Sequence, residues 1–160
     1  NKGKKSFYIY NDGFIYYTRK HYNTKILDFD HHITTGYIDR QVYAENPLTH
    51  SDLYEYLEDN GYDSNKLKRN IIDLMKKISY GIENSICNVK HLNKCTTFQL
   101  FGCDVAPDKD LNCILIEINK GPDLNYKDER DGNLKQGVMK GIFNLLKIDN
   151  NLYENNFIKL

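Results

Sequence analysis

Residues 98–124 read FQLFGCDVAPDKDLNCILIEINKGPDL. Two apolar runs flank a polar stretch, the pattern of antiparallel strands joined by a turn. Yet the strands carry Asp104, Glu117 and Asn119 where uncharged residues would serve a plain hairpin. Alternate residues of a strand share a face. In CILIEIN, Ile114, Ile116 and Ile118 are therefore expected to point into a core, with Leu115, Glu117 and Asn119 pointing the other way. On the first strand Leu100, Gly102 and Asp104 share a face. A four-residue loop within 106–112 would set Asp104 opposite Leu115 and make Glu117 its diagonal neighbour, roughly 7–8 Å away. Two carboxylates and one amide carbonyl would then project together, backed by isoleucines.

These donor atoms are hard oxygens. They suit Mg2+, which takes one or two carboxylates and fills its remaining positions with waters and nucleotide phosphates. They suit zinc poorly, because the face offers no dependable His or Cys. The alternative is that Glu117 and Asn119 sit on the solvated face of a half-exposed sheet, and spacing alone leaves both readings open.

Outward from this hairpin, SFYIYNDGFIYYT (6–18) carries aromatic and β-branched runs on either side of Asn11-Asp12-Gly13 and reads as a second hairpin. HHITTGYID (31–39) reads as a short strand or an ordered loop. Thr49 or Ser51 can cap a short helix that Gly61 stops. Ser64 then caps a longer helix, to about residue 86, with Leu67, Ile71, Leu74, Met75, Ile78 and Ile82 as its apolar stripe. Its other face bears Lys66, Lys68, Arg69, Asp73, Lys76 and Lys77, a solvated basic face or a surface for an acidic partner. A second amphipathic helix is expected over 133–146, with Leu134, Val138, Ile142 and Phe143 in its stripe. The polar tail 149–160 is expected to be frayed or loosely docked.

The chain has 160 residues and a formal net charge of zero, which argues against a nucleic-acid partner, since that calls for clustered excess Lys and Arg. No apolar run approaches the roughly 18 residues that span a bilayer, so no membrane partner is expected. Cys87, Cys95, Cys103 and Cys113 match no CxxC zinc pattern and read as reduced thiols of a cytoplasmic protein, with Cys103 and Cys113 near enough to touch. DFDHH (28–32) suggests metal chemistry, but neighbours alternate along an extended chain, so a shared site would need a turn. The chain starts at Asn1, just before a strand, and is expected to be a fragment of something longer.

The opening stretch resembles the C-terminal part of the tubulin–tyrosine ligase-like proteins, members of the ATP-grasp superfamily. That family reads F-E-L-(F/Y)-G-x-D, a short turn, then (L/I)-(L/I)-E-(V/I)-N-x-x-P-x-L, with Asp104, Glu117, Asn119 and Pro122 in register here. FYIYNDGFIYYTRKHYN, HITTGYI and DGNLKQGVMKGIFNLL extend the likeness over about residues 7–147. The resemblance implies that Asp104, Glu117 and Asn119 hold Mg2+ on the phosphates of ATP, and that Leu115 lies in the nucleotide site. It places Thr34 and His32 beside the active site, and Lys135 where the family often has Lys. Tyr16, Thr35 and Gln99 depart from the usual Arg, Asn and Glu.

The implied fold is α+β: the C-terminal portion of an ATP-grasp domain over 1–148, a mainly antiparallel sheet covered by the helices at 67–86 and 133–146, followed by the tail. The implied activity is ATP- and Mg2+-dependent ligation. ATP phosphorylates a carboxylate, and the amine of a free amino acid displaces the phosphate to form an amide. The acceptor would be an acidic protein tail, such as that of tubulin, with Lys120 and Lys135 able to attract it. The alternatives are a non-catalytic remnant that binds a partner, and an ATP-grasp ligase with another substrate.

Overall fold

The computed structural model describes residues 5–34, 42–86, 97–126, 128–148 and 155–160. In chain order the elements are β1 (Tyr8–Tyr10), α1 (Phe29–His32), α2 (Val42–Glu45), α3 (His50–Asp59), α4 (Ser64–Ile82), β2 (Gly102–Pro107), β3 (Cys113–Asn119), α5 (Glu129–Leu146) and β4 (Phe157–Lys159). They form two compact units. One is Asp12–Ser64; the other is Asn1–Asn11 together with Asn65–Leu160. The architecture is α+β, with two small antiparallel sheets among the described residues, β1–β4 and β2–β3. Among the described residues, the mainly antiparallel sheet expected from the sequence is thus two separate ribbons.

In the Asp12–Ser64 unit, α3 is fixed by its N-terminus. The Thr49 hydroxyl accepts from Asp52 N at 3.1 Å, and the Asp52 carboxylate accepts from Thr49 N at 2.9 Å, a reciprocal capping box. The Asp12 carboxylate adds a second cap, accepting from the Ser51 hydroxyl at 2.8 Å and from Ser51 N at 3.3 Å. The expected hairpin over 6–18 is therefore wrong. Phe14 bridges to Thr49 rather than back to β1, and the Asp12-Gly13 pair serves the helix start. Gly13 tolerates no side chain there, since a Cβ would lie 2.7 Å from the His50 ring. Leu48 and Leu57 are the buried apolar residues of this unit among the described residues. Gly61, at φ 78, follows the end of α3 as the sequence predicts. Of the 31–39 stretch, read as a short strand or an ordered loop, His31 and His32 close α1, which Asp28 caps, and residues 35–39 lie outside the described set.

In the other unit, α4 buries Leu67 and Met75 from the predicted stripe and ends at Ile82, a turn earlier than expected. Asn70 Nδ2 donates to Leu111 O at 2.8 Å and ties α4 to the β2–β3 turn. The predicted helix over 133–146 begins four residues sooner, because the Asp128 carboxylate caps it by accepting from Asp131 N. α5 lies on the β1–β4 ribbon through two glycines. Gly137 sits under the Tyr10 hydroxyl, and a Cβ on Gly141 would be 2.9 Å from the Phe157 ring. The end of the tail is not frayed. Residues 157–159 pair with β1, Tyr8 opposite Lys159 and Tyr10 opposite Phe157, while 149–154 lie outside the described residues. No helix among the described residues is long and apolar enough to cross a membrane.

Candidate functional site

The β2–β3 hairpin turns through residues 108–112. Asp108 N donates to Asn112 O at 2.8 Å, Leu111 adopts φ 62, and the Asp108 carboxylate accepts from the backbone of Asp110 and Asn112. These contacts hold the Asp108 carboxyl below its ordinary value, with the Asn112 side-chain bond as the largest cause. The loop has five residues, not four, so the ladder starts Pro107↔Cys113, Ala106↔Ile114, Val105↔Leu115.

The register then shifts between Val105 and Asp104, and the next pairs are Asp104↔Glu117, Cys103↔Ile118 and Gly102↔Asn119. Ile116 is the extra residue of a β-bulge, without a partner across the ladder. Directly opposed residues share a face, so one face carries Gly102, Asp104, Glu117 and Asn119, and the other carries Cys103, Val105, Leu115 and Ile118. Without the bulge Asp104 would oppose Ile116, and Glu117 would point to the other side.

Three expectations are corrected by this register. Asp104 faces Glu117 directly, not diagonally. Leu115 does not share the face of Glu117 and Asn119; it opposes Val105 on the more sheltered side. The isoleucines do not all enter a core: Ile114 and Ile116 are 60% and 65% exposed, whereas Ile118 is half-buried. Cys103 and Cys113 also fail to meet, since they pair with Ile118 and Pro107 at different rungs of the ladder. Both are free thiols, pushed up mainly by burial. Cys87 and Cys95 lie outside the described residues.

The three sequence-predicted donors are thus brought onto one exposed face. Asn119 Nδ2 donates to Glu117 Oε1 at 2.8 Å, which engages the amide nitrogen and leaves its carbonyl oxygen as the remaining donor atom. The Asp104 carboxyl is raised above its ordinary value, first by partial burial, then by the Glu117 charge and a hydrogen bond to Glu117. Two carboxylates held against each other in this way repel unless a proton or a cation lies between them. The donor set therefore fits a hard divalent ion: two carboxylates and one amide, with room for water and phosphate. No group of three or more His, Cys, Asp or Glu among the described residues is placed to hold a metal, so the amide is needed to complete this set.

Other candidates have different surroundings. Lys135 Nζ lies 3.0 Å from Asp131 Oδ1 and donates to Asn125 O at 2.5 Å, with both side chains of the ion pair largely buried. The sequence reading missed Asp131, although its i,i+4 spacing to Lys135 on a helix is a legible signal. Lys120 is exposed just past β3. Thr34 is exposed in the Asp12–Ser64 unit, one residue beyond the α1 cap. DFDHH does make a turn, but for capping. The Asp28 carboxylate accepts from His31 N and meets His31 Nδ1 at 2.6 Å, the latter bond chiefly holding its carboxyl low. His32 Nε2 contacts Ile26 O at 2.7 Å, and its ring packs edge-on against Tyr22.

The scaffold is thus an α+β protein whose hairpin displays hard-oxygen donors. The chain belongs to the tubulin-tyrosine ligase family: a model of that family matches residues 4–155. It is 29% identical over 157 residues to tubulin polyglutamylase ttll-5 of Caenorhabditis elegans, covering 86% of this chain and 22% of that protein. It is 25% identical over 160 residues to tubulin polyglutamylase ttll-4 of Caenorhabditis briggsae, covering 88% and 26%. It is 22% identical over 159 residues to human tubulin polyglutamylase TTLL6, covering 89% and 18%. The chain spans about a quarter or less of the length of these relatives.

Proposed function

We propose that this chain carries the metal-binding part of an ATP-dependent amino-acid ligase of ATP-grasp type, acting on an acidic protein tail such as that of tubulin. The observation that carries this reading is the bulge-set register, which puts Asp104, Glu117 and Asn119 on one exposed face. Family membership supports it, and the names of the relatives support glutamate as the amino acid transferred and tubulin as the acceptor.

Asp104, Glu117 and Asn119 would hold Mg2+, which when bound neutralises phosphate charge and screens the transferring group. The residues of this chain position and bind; no covalent nucleophile on the protein is needed. Asp104 and Glu117 would orient the cation, and the Asn119–Glu117 hydrogen bond keeps the amide in place. For Leu115 as a nucleotide contact the sequence likeness is the only support, while Ile114 and Ile116, both exposed, border the donors. Lys135 enters as a residue of the site's support, and for Thr34 the only support is the sequence likeness.

Calorimetry with Mg2+·ATP tests the reading on the chain and on Asp104→Asn and Glu117→Gln. Binding by the parent that weakens at least tenfold in both variants is the expected result. Equal affinity in parent and variants would remove the metal role. Nucleotide-independent capture of an acidic peptide alone would leave the chain a partner-binding module.

A further inference from the structure

The seven residues that follow Asn119 leave the hairpin, yet they are stitched down at several points. Pro122 packs on Gly102, the residue paired with Asn119, so closely that a Cβ on Gly102 would be 3.1 Å from Pro122 Cβ. Gly121 adopts φ 148, a conformation side chains rarely permit. The Asp123 carboxylate accepts from Asn125 N at 2.9 Å. The Tyr126 ring lies 3.4 Å from where a Cβ on Gly132 would sit. At the far end Lys135 Nζ donates to Asn125 O at 2.5 Å.

Lys135 is itself held. Its ammonium lies 3.0 Å and 3.2 Å from the two oxygens of Asp131, one turn back on α5. The side chains are only 15% and 11% exposed. Asp131 in turn is fixed by the cap, its N–H donating to the Asp128 carboxylate at 2.9 Å. A buried ion pair of this kind adds little stability by itself, and here the partners' other bonds hold it in one geometry. The chain of contacts therefore runs from the start of α5, through Asp131 and Lys135, to the backbone of the connector, and from there to Gly102 and Asn119.

We propose that Asp131 and Lys135 are positioning residues: the buried pair clamps the 120–126 connector and so fixes the Glu117–Asn119 end of the hairpin for cation binding. This rests on the metal reading above. Lys135 then supplies no charge to an acceptor; its ammonium is spent on Asp131 and on the Asn125 carbonyl. Outer contacts that orient metal ligands commonly change affinity by about ten- to a hundredfold when removed.

The test uses the whole chain with Mn2+ alone as the probe, read by electron paramagnetic resonance, beside backbone amide exchange. Lys135→Met and Asp131→Asn are expected to weaken Mn2+ binding by about tenfold or more and to speed exchange across 120–126, although neither removes a donor atom. Lys135→Arg is expected to restore most of the affinity, because it keeps the charge and a donor to the carbonyl. Should Lys135→Met fail to fold, Asp131→Asn, which preserves shape, carries the test. Unchanged exchange across 120–126 overturns the clamp, as does faster exchange with unchanged Mn2+ affinity. If the parent binds no Mn2+, the metal reading fails separately, and the exchange data alone decide whether the clamp exists.

Discussion

The two ribbons of the molecule are built by opposite rules. β1–β4 joins residues near the two ends of the chain, Tyr8 with Lys159, and is shielded by α5 through Gly137 and Gly141. β2–β3 joins neighbours across a five-residue turn and leaves one face open, with Ile114 and Ile116 mostly exposed. The covered ribbon is a packing device; its aromatic pair, Tyr10 and Phe157, meets edge-to-face at 5.1 Å. The open ribbon spends its outer face on charge. Covered packing and an open, charged face thus fall to separate pairs of strands within one unit, and each is expected to be open to perturbation alone.

The largest effect is expected from the register. Inserting an alanine between Ile116 and Glu117 sets the new residue opposite Asp104 and sends Glu117 and Asn119 to the other face. Mn2+ affinity should fall by about a hundredfold or more, the cost of losing donor atoms exceeding that of losing their supports. Ile116→Ala keeps the residue count and should bind within about threefold of the parent, since only exposed apolar surface is lost. Calorimetry with Mn2+ on both variants checks this, and equal losses would show that the side chain, not the register, matters.

On the covered ribbon, Gly141→Val drives a branched side chain into the Phe157 ring. Urea unfolding should report a loss of about 1–3 kcal/mol, the usual cost of overpacking, with little change in Mn2+ affinity. Phe157→Leu is milder: losing the edge-to-face contact should cost about 1 kcal/mol. If either change weakened Mn2+ binding as strongly as the alanine insertion before Glu117, the independence of the two ribbons would be wrong.

The smallest effect concerns pH. The Asp104 carboxyl is raised above its ordinary 3.8 by burial and by Glu117. A raised folded-state value means that the folded chain binds the proton more tightly. The stability it contributes is complete below 3.8 and is lost as pH rises through the higher folded value. At neutral pH Asp104→Asn should therefore stabilise the metal-free chain, by a few tenths of a kcal/mol, the scale of solvent-screened charge pairs, while weakening Mn2+ binding. Thermal unfolding at pH 3.5 and pH 7 separates the two: the gain should vanish at the lower pH.

How much of this was legible follows from the range of each interaction. The β2–β3 hairpin, the Thr49 cap of α3, the Leu67–Met75 stripe of α4 and most of α5 all rest on neighbours within a few residues, and the sequence carries their signals directly. The donor residues were legible as a set, because strand alternation already grouped Glu117 with Asn119. Their register was not, since one extra isoleucine in an apolar run leaves no mark in composition or pattern, and it misplaced Leu115. β4 was hidden because a three-residue strand finds its partner at the other end of the chain. The false hairpin over 6–18 came from Asp12-Gly13, a turn signal that the structure uses as a helix cap.

Pairing Tyr8 with Lys159, with Leu160 N donating to Phe7 O at 3.0 Å, brings the outermost described strands together as if the polypeptide were a buckled belt. The belt could be cut at the exposed 108–112 turn without opening that buckle. A protein nicked there would keep every rung of the covered ribbon while freeing the tips of β2 and β3. Donor placement would then depend on the 120–126 connector without help from the turn.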